Sequence, residues 1–251
     1  MLDAITQLFA PGHALGLLAL SPPGWGGTLV NGLIHSMEIA FGAYALGLFI
    51  GILGASGKLY GEMMIRDLFA LYTTVVRAVP ELVEILFLYY AVPSAVNALL
   101  LSLGYDRISM PPLVVGTIVL GVVLGAYMTE VLRGAILAVP QGQIEAARAY
   151  GMPPLLLARR IIFPQMMSNA IPGMANLWLN CTKDTALLAV IGFPELTQAT
   201  KQAAGTTKAY FLFFVAAMVI YLCISVISGR FFAVLERWAR RGQPKMRGAG
   251  A

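Results

Sequence analysis

The chain has 251 residues, of which 59% are hydrophobic and 12% charged, with a mean hydropathy of +0.78 and a formal net charge of +5. A water-soluble domain is about a quarter charged, so this composition excludes one and points to an integral membrane protein. Only two cysteines (Cys181 and Cys223, both in apolar runs) and two histidines (His13 and His35) are present, which excludes a disulfide scaffold and leaves too few ligands for a protein-only zinc site.

Residues 1–24 carry no Lys or Arg, so no signal peptide with a positive n-region is expected, and the Leu15–Leu20 run is too short to span. They read as an extracytoplasmic or interfacial segment. A first span is expected over 28–54, with His35 and Glu38 as a weak polar edge and Gly47/Gly51 spaced for close helix packing. A second is expected over 67–92. There Arg77 and Glu81 are four residues apart and Glu81 and Glu84 three apart, so the three share one face of a continuous helix. Counting from Asp67 at about 1.5 Å per residue, Arg77 lies roughly 15 Å deep and Glu81 roughly 21 Å. Pro80 loosens the helix there, because its missing N–H frees a carbonyl one turn back. Charges within a span are costly and mark function by default. Two readings stand: Glu81 with Glu84 attracts a cation in transit, or Arg77–Glu81 is a structural ion pair with Glu84 at a wet interface.

The third span, over 113–139, repeats the small-residue spacing at Gly121/Gly125 and carries Glu130 and Arg133, three apart, as a structural ion pair. Residues 140–165 read as a loop of two short amphipathic helices hinged at Gly151, with Ile144, Ala147 and Tyr150 on one face. Exposed small alanines imply that something packs closely on this loop; an ordinary connection is the competing reading. A fourth, polar-flecked span covers 167–193. It sets Asn169, Asn176, Asn180, Lys183 and Asp184 on or near one stripe. The stripe is either the wall of a translocation path or a set of interhelical hydrogen bonds, worth about 0.6 kcal/mol each. A fifth span covers 209–229, and a basic tail covers 239–251.

With these spans, Lys58, Arg66, Arg133, Arg148, Arg159, Arg160, Arg230, Arg237, Arg240, Arg241, Lys245 and Arg247 fall on one side, against Arg107, Lys201 and Lys208 on the other. The positive-inside rule then puts the N-terminus outside and the C-terminus in the cytoplasm. No clustered basic and aromatic surface suggests nucleic acid. There is no HExxH, CxxC or GxSxG. The Gly57-Lys58 pair is no phosphate loop, since Leu59 follows and Ile52 stands where the first Gly belongs.

The loop has a further pattern: Glu145-Ala146-Ala147, three residues, Gly151, nine residues, Ile161, one residue, then Phe163-Pro164. This resembles the EAA motif of bacterial ABC-importer permeases, with Phe163 where the family usually has Leu. Arg77-Ala78-Val79-Pro80, the run Ala126 to Ala135 (AYMTEVLRGA) and Lys183-Asp184-Thr185-Ala186-Leu187 resemble signatures of the polar amino-acid subfamily. Together they cover residues 26–238 and are most similar to the Q-type subunits of histidine/lysine/arginine/ornithine and opine permeases.

The resemblance implies an all-α integral membrane fold of the MetI-like ABC-importer permease type, with about five transmembrane helices and a permease domain over 25–238. It implies a bacterial inner-membrane location. Its partners would be cytoplasmic ATPase subunits, a second and distinct permease subunit, an extracytoplasmic binding protein and membrane lipid. Glu145, Ala146, Ala147 and Gly151, with Pro164, would form the contact with the ATPase, which would hold ATP and Mg; this chain would bind no cofactor and would not be an enzyme. Arg77, Glu81, Glu84, Asn176, Asn180, Lys183 and Asp184 would line the path of a polar, cationic amino acid or opine. In the resemblance, relatives with cationic substrates often carry an acid at the position of Glu81. The alternative is a self-sufficient secondary transporter driven by ions through Glu81 and Glu84. It would have no use for the loop spacing, and five spans cannot form inverted repeats of equal size.

Overall fold

The computed structural model describes residues 14–241, which are helical throughout apart from short connections. Residues 1–13 of the expected N-terminal segment and 242–251 of the basic tail lie outside the described residues. After a 3-10 turn at Ala14–Leu18, the chain forms α1 (Gly26–Tyr60), α2 (Met63–Ala78), α3 (Glu81–Ser102), α4 (Pro112–Leu137), α5 (Gln141–Ala149) and α6 (Pro154–Leu157). A π-helical turn at Ala158–Ile162 leads into α7 (Phe163–Asp184), a 3-10 segment at Thr185–Ile191, α8 (Leu196–Thr207) and α9 (Tyr210–Ala239).

The centre of the bundle is the pair α1 and α4. Lipid tails are as apolar as leucine, so helices in a membrane gain little from hiding apolar area and associate through close packing. The two glycine pairs supply it. A methyl group on Gly51 would lie 2.5 Å from Met128 Cγ, and one on Gly125 would lie 2.7 Å from Ile50 Cγ2. Gly54 approaches Thr129 and Gly47 approaches Leu124 in the same way. Positions 47, 51 and 54 meet 124, 128 and 129 in rising order, so α1 and α4 run parallel. The buried core is built on this seam from Ile39, Ala43, Val119, Met128, Ala170 and Leu188.

Other contacts fix the remaining directions. Ala40 meets Cys181 and Tyr44 meets Met174, so α7 runs antiparallel to α1. Ser36 lies level with Glu195 and Tyr221, and Phe41 level with Trp178 and Ser228, so α9 returns parallel to α1. The C-terminal ends of α1, α4 and α9 and the α5–α6 hairpin therefore gather at one end of the bundle, which carries most of the Lys and Arg.

Among the described residues, four helices are long and apolar enough to cross a membrane: α1, α3, α4 and α9. The expectation of about five also counts α7, whose 22 residues are long enough but carry polar side chains. The second span departs from expectation. Instead of one helix over 67–92, the chain forms an amphipathic α2 and an apolar α3 that continues to Ser102. Apolar residues flank the charges Arg77, Glu81 and Glu84 on both sides, so hydropathy alone does not locate the junction; Pro80 does. The fourth span ends as a helix at Asp184 and continues to Ile191 as a 3-10 segment. The first and last helices overrun their expected ends, to Tyr60 and Ala239.

Candidate functional site

Val79 (φ −91°, ψ 142°) and Pro80 (φ −59°, ψ 129°) are extended between α2 and α3. Proline has no N–H to donate and disfavours helical backbone in the residue before it, so this is where the helix parts. The break places Glu81 and Glu84 in the first turn of α3. Unpaired N–H groups and the positive end of the helix dipole favour carboxylates there. The local sequence thus stabilises the acids that it carries into the membrane.

Glu81 lines a small, partly open cavity of about 40 Å³ together with Leu124, Tyr127, Leu177, Asn180 and Asp184. That is room for a few waters and not for an amino acid. Tyr127 and Glu81 thus stand side by side in its wall. Glu84 lies on the buried side of the same turn, 8% exposed, and its Oε2 has no hydrogen-bond partner among the described residues. Arg77 does not share their face, contrary to the continuous-helix expectation. It ends α2 and is exposed, its guanidinium 5.8 Å from the centre of the Tyr127 ring. Among the described residues no Lys or Arg forms an ion pair with Glu81, Glu84 or Asp184.

A second polar group lies toward the basic end of the bundle. Glu130 Oε2 accepts from Arg133 Nε at 3.0 Å and Nη2 at 2.8 Å, and Glu130 Oε1 accepts from Lys58 Nζ at 2.6 Å. Lys58, whose side chain is 15% exposed, also donates to Thr73 Oγ1 at 2.8 Å. One carboxylate therefore ties α1 to α4, and Lys58 extends the tie to α2. An open cleft of about 400 Å³ lies here, lined by Lys58, Thr73, Thr74, Arg77, Ala78 and Glu130.

At the same end, α5 and α6 form a hairpin around Gly151, whose φ of +74° is the left-handed backbone that glycine adopts without steric cost. Ala147 and Leu157 are buried and anchor the hairpin. Glu145, Ala146, Gly151 and Leu155 face outward, as does Pro164 in the first turn of α7. Tyr150 is 91% exposed and so does not join the face of Ile144 and Ala147. The hairpin turns at Tyr150, and α5 ends one residue earlier.

On α7, Asn169, Asn176, Asn180 and Lys183 form an exposed polar stripe, while Asp184 is half-buried at the cavity. His35 and Glu38 pair at 3.1 Å on an exposed part of α1. Three side chains missed by sequence reasoning bear on these groups. Lys58 reads from the sequence only as a loop charge, because its partner Glu130 lies 72 residues away. Tyr127 lies inside the run Ala126 to Ala135, where nothing local marks it out. Glu195 introduces α8, a helix that was not expected. Its carboxylate accepts from the N–H of Gln198 at 2.7 Å and of Thr197 at 2.8 Å. Burial pushes this carboxyl above the ordinary carboxylate range, opposed by those N–H groups and by the hydroxyls of Tyr221 and Ser36. The signal for α8 was an N-cap acceptor followed by apolar residues at 196, 199, 203 and 204.

Comparison with known proteins gives a consistent result. Residues 47–241 match the family described as binding-protein-dependent transport system inner membrane components. The nopaline transport system permease protein of Agrobacterium fabrum is 41% identical over 230 residues, covering 91% of this chain and 98% of that protein. The histidine/lysine/arginine/ornithine transport system permease protein of Salmonella typhimurium is 40% identical, covering 85% and 94%. Among solved structures, an amino acid ABC transporter crystallised with histidines is similar at a TM-score of 0.73 and 28% identity, covering 85% of this chain and 94% of that one. The MetNI methionine ABC transporter, in inward-facing conformations, is similar at 0.70 over 88% and 100%; at 17% identity this bears on the fold alone.

Proposed function

This chain belongs to the family of binding-protein-dependent transport system inner membrane components, and from that premise we propose that it forms half of the translocation path for cationic amino acids or opines. It is an ABC-transporter permease subunit of MetI-like fold. The observation that carries the substrate class is the pair of carboxylates Glu81 and Asp184 lining a cavity beside a broken helix, with buried Glu84 in the same helical turn as Glu81, none ion-paired among the described residues. Broken helices near the middle of a membrane commonly line substrate sites. An ammonium or guanidinium in transit would find its counter-charge there. The relatives named for nopaline and for histidine, lysine, arginine and ornithine support this class of substrate.

In this reading the basic end of the bundle faces the cytoplasm of a bacterial inner membrane. The outward residues of the hairpin, Glu145, Ala146, Gly151 and Leu155, with Pro164 at its base, seat the chain on a cytoplasmic ATPase that holds ATP and Mg. The exposed stripe Asn176, Asn180 and Lys183 faces the path shared with a second permease chain, and a binding protein delivers substrate from the other side.

The test is ATP-dependent uptake into vesicles carrying this chain with its partner subunits, using arginine and its uncharged analogue citrulline. Glu81→Gln is expected to lower arginine uptake about tenfold and to leave citrulline uptake as in the wild type. Equal loss of both, or loss of neither, would remove the counter-charge role.

A further inference from the structure

We propose that Arg77, with Lys58 behind it, seats the carboxylate of the transported amino acid in the open cleft beyond the Val79–Pro80 break. This rests on reading the chain as an amino-acid permease subunit. The first observation is charge. The cleft is lined by Lys58 and Arg77 against the single acid Glu130, whose two oxygens are already taken by Lys58 and by Arg133 outside the lining. Arg77 has no hydrogen bond or ion pair among the described residues. Its planar fork of five donors is therefore unspent, one face resting on Tyr127. Lys58 uses two of its three donors, on Thr73 and Glu130. A cleft with an unspent guanidinium and no free carboxylate in its lining favours an anion.

The second observation is size and place. At about 400 Å³ the cleft is in the range of small-molecule sites, about 300–1,000 Å³, whereas the acidic cavity is a tenth of that. Tyr127 joins the two: it lines the acidic cavity with Glu81, and its ring carries Arg77. A substrate with a cationic side chain and a carboxylate matches both poles, its cation toward Glu81 and its carboxylate toward Arg77. A purely structural Arg77 would instead offset the negative end of the α2 dipole. A lipid headgroup phosphate offers the same anionic chemistry as the carboxylate.

The measurement separates these sources. The transporter complex is placed in phosphatidylcholine nanodiscs, and binding of arginine and of argininamide, which keeps the guanidinium but lacks the carboxylate, is followed by saturation-transfer NMR. Wild type is expected to bind arginine about tenfold more tightly than argininamide. Arg77→Gln should bring arginine down to the argininamide level without changing argininamide, and Arg77→Lys should recover part of the difference. Equal binding of both ligands by the wild type would overturn the proposal. So would equal weakening of both by Arg77→Gln, or disappearance of the wild-type preference in discs containing phosphatidylglycerol, which would assign the seat to a headgroup. If the ATPase co-purifies and Glu81→Gln weakens both ligands while the arginine preference is missing, the carboxylate seat alone falls. If the wild type binds neither ligand, the permease reading falls with it.

Discussion

Gly51 and Gly134 are both helical glycines, and they should respond to substitution in opposite directions. A methyl group at Gly51 meets Met128 Cγ at 2.5 Å, whereas one at Gly134 meets nothing within 4 Å. Gly51→Val should therefore cost about 1–3 kcal/mol through overpacking, and Gly134→Ala should add roughly 0.5–1 kcal/mol through helix propensity. The thermal midpoint of the purified protein should fall for the first and rise or hold for the second. The glycine pairs were legible in the sequence because their spacing on each helix is a local pattern. Lys58 was not, since nothing in residues near it identifies Glu130 as its partner, and a long lysine at a helix end reads as an ordinary interfacial charge. The acids Glu81 and Glu84 were legible as candidates, because a charge in an apolar run stands out; their separation from Arg77 was not.

At the scale of elements, the break between α2 and α3 and the cap on α8 carry the argument. Pro80→Ala supplies an N–H and frees Val79 to become helical, so α2 and α3 can join and Glu81 turns away from Tyr127 and Asp184. Arginine uptake should fall at least tenfold while the assembled complex still forms; uptake at the wild-type rate would show that the break is incidental. Glu195→Ala removes the side chain that accepts from Thr197 and Gln198 and lies beside Ser36 and Tyr221. Loss of a helix cap costs about 0.5–2 kcal/mol, so the thermal midpoint should drop, and Glu195→Gln, which keeps one acceptor, should drop it less. The hairpin around Gly151 was legible as two short helices, because proline, glycine and small residues punctuate it. The order α2–break–α3 was half legible: Pro80 marked the place, but the pull of a long apolar run favoured one continuous helix.

For the whole molecule, the parallel pairing of α1 with α4 and the return of α7 bring the C-terminal ends of α1, α4 and α9 and the α5–α6 hairpin to one basic end. The charge asymmetry that the sequence showed one residue at a time is thus a property of one surface. The carboxylates and the polar stripe of α7 meet nearer the middle. That the chain is a bundle of long apolar helices followed from composition, because a membrane imposes length and apolarity on every crossing; of the five expected spans, the polar-flecked α7 is not among the four described helices apolar enough to cross. Which side chains meet across helices did not follow, because those contacts depend on how far each helix is rotated about its own axis. The central claim is that the outward face of the hairpin holds a partner ATPase. It is tested most directly by purifying this chain in gentle detergent from its native membrane and identifying by mass what accompanies it, beside a Glu145→Arg, Gly151→Pro variant. The account predicts an ATPase and a second permease subunit with the wild type, and the second permease without the ATPase in the variant. A wild-type oligomer that is free of any ATPase and still moves solute would contradict it.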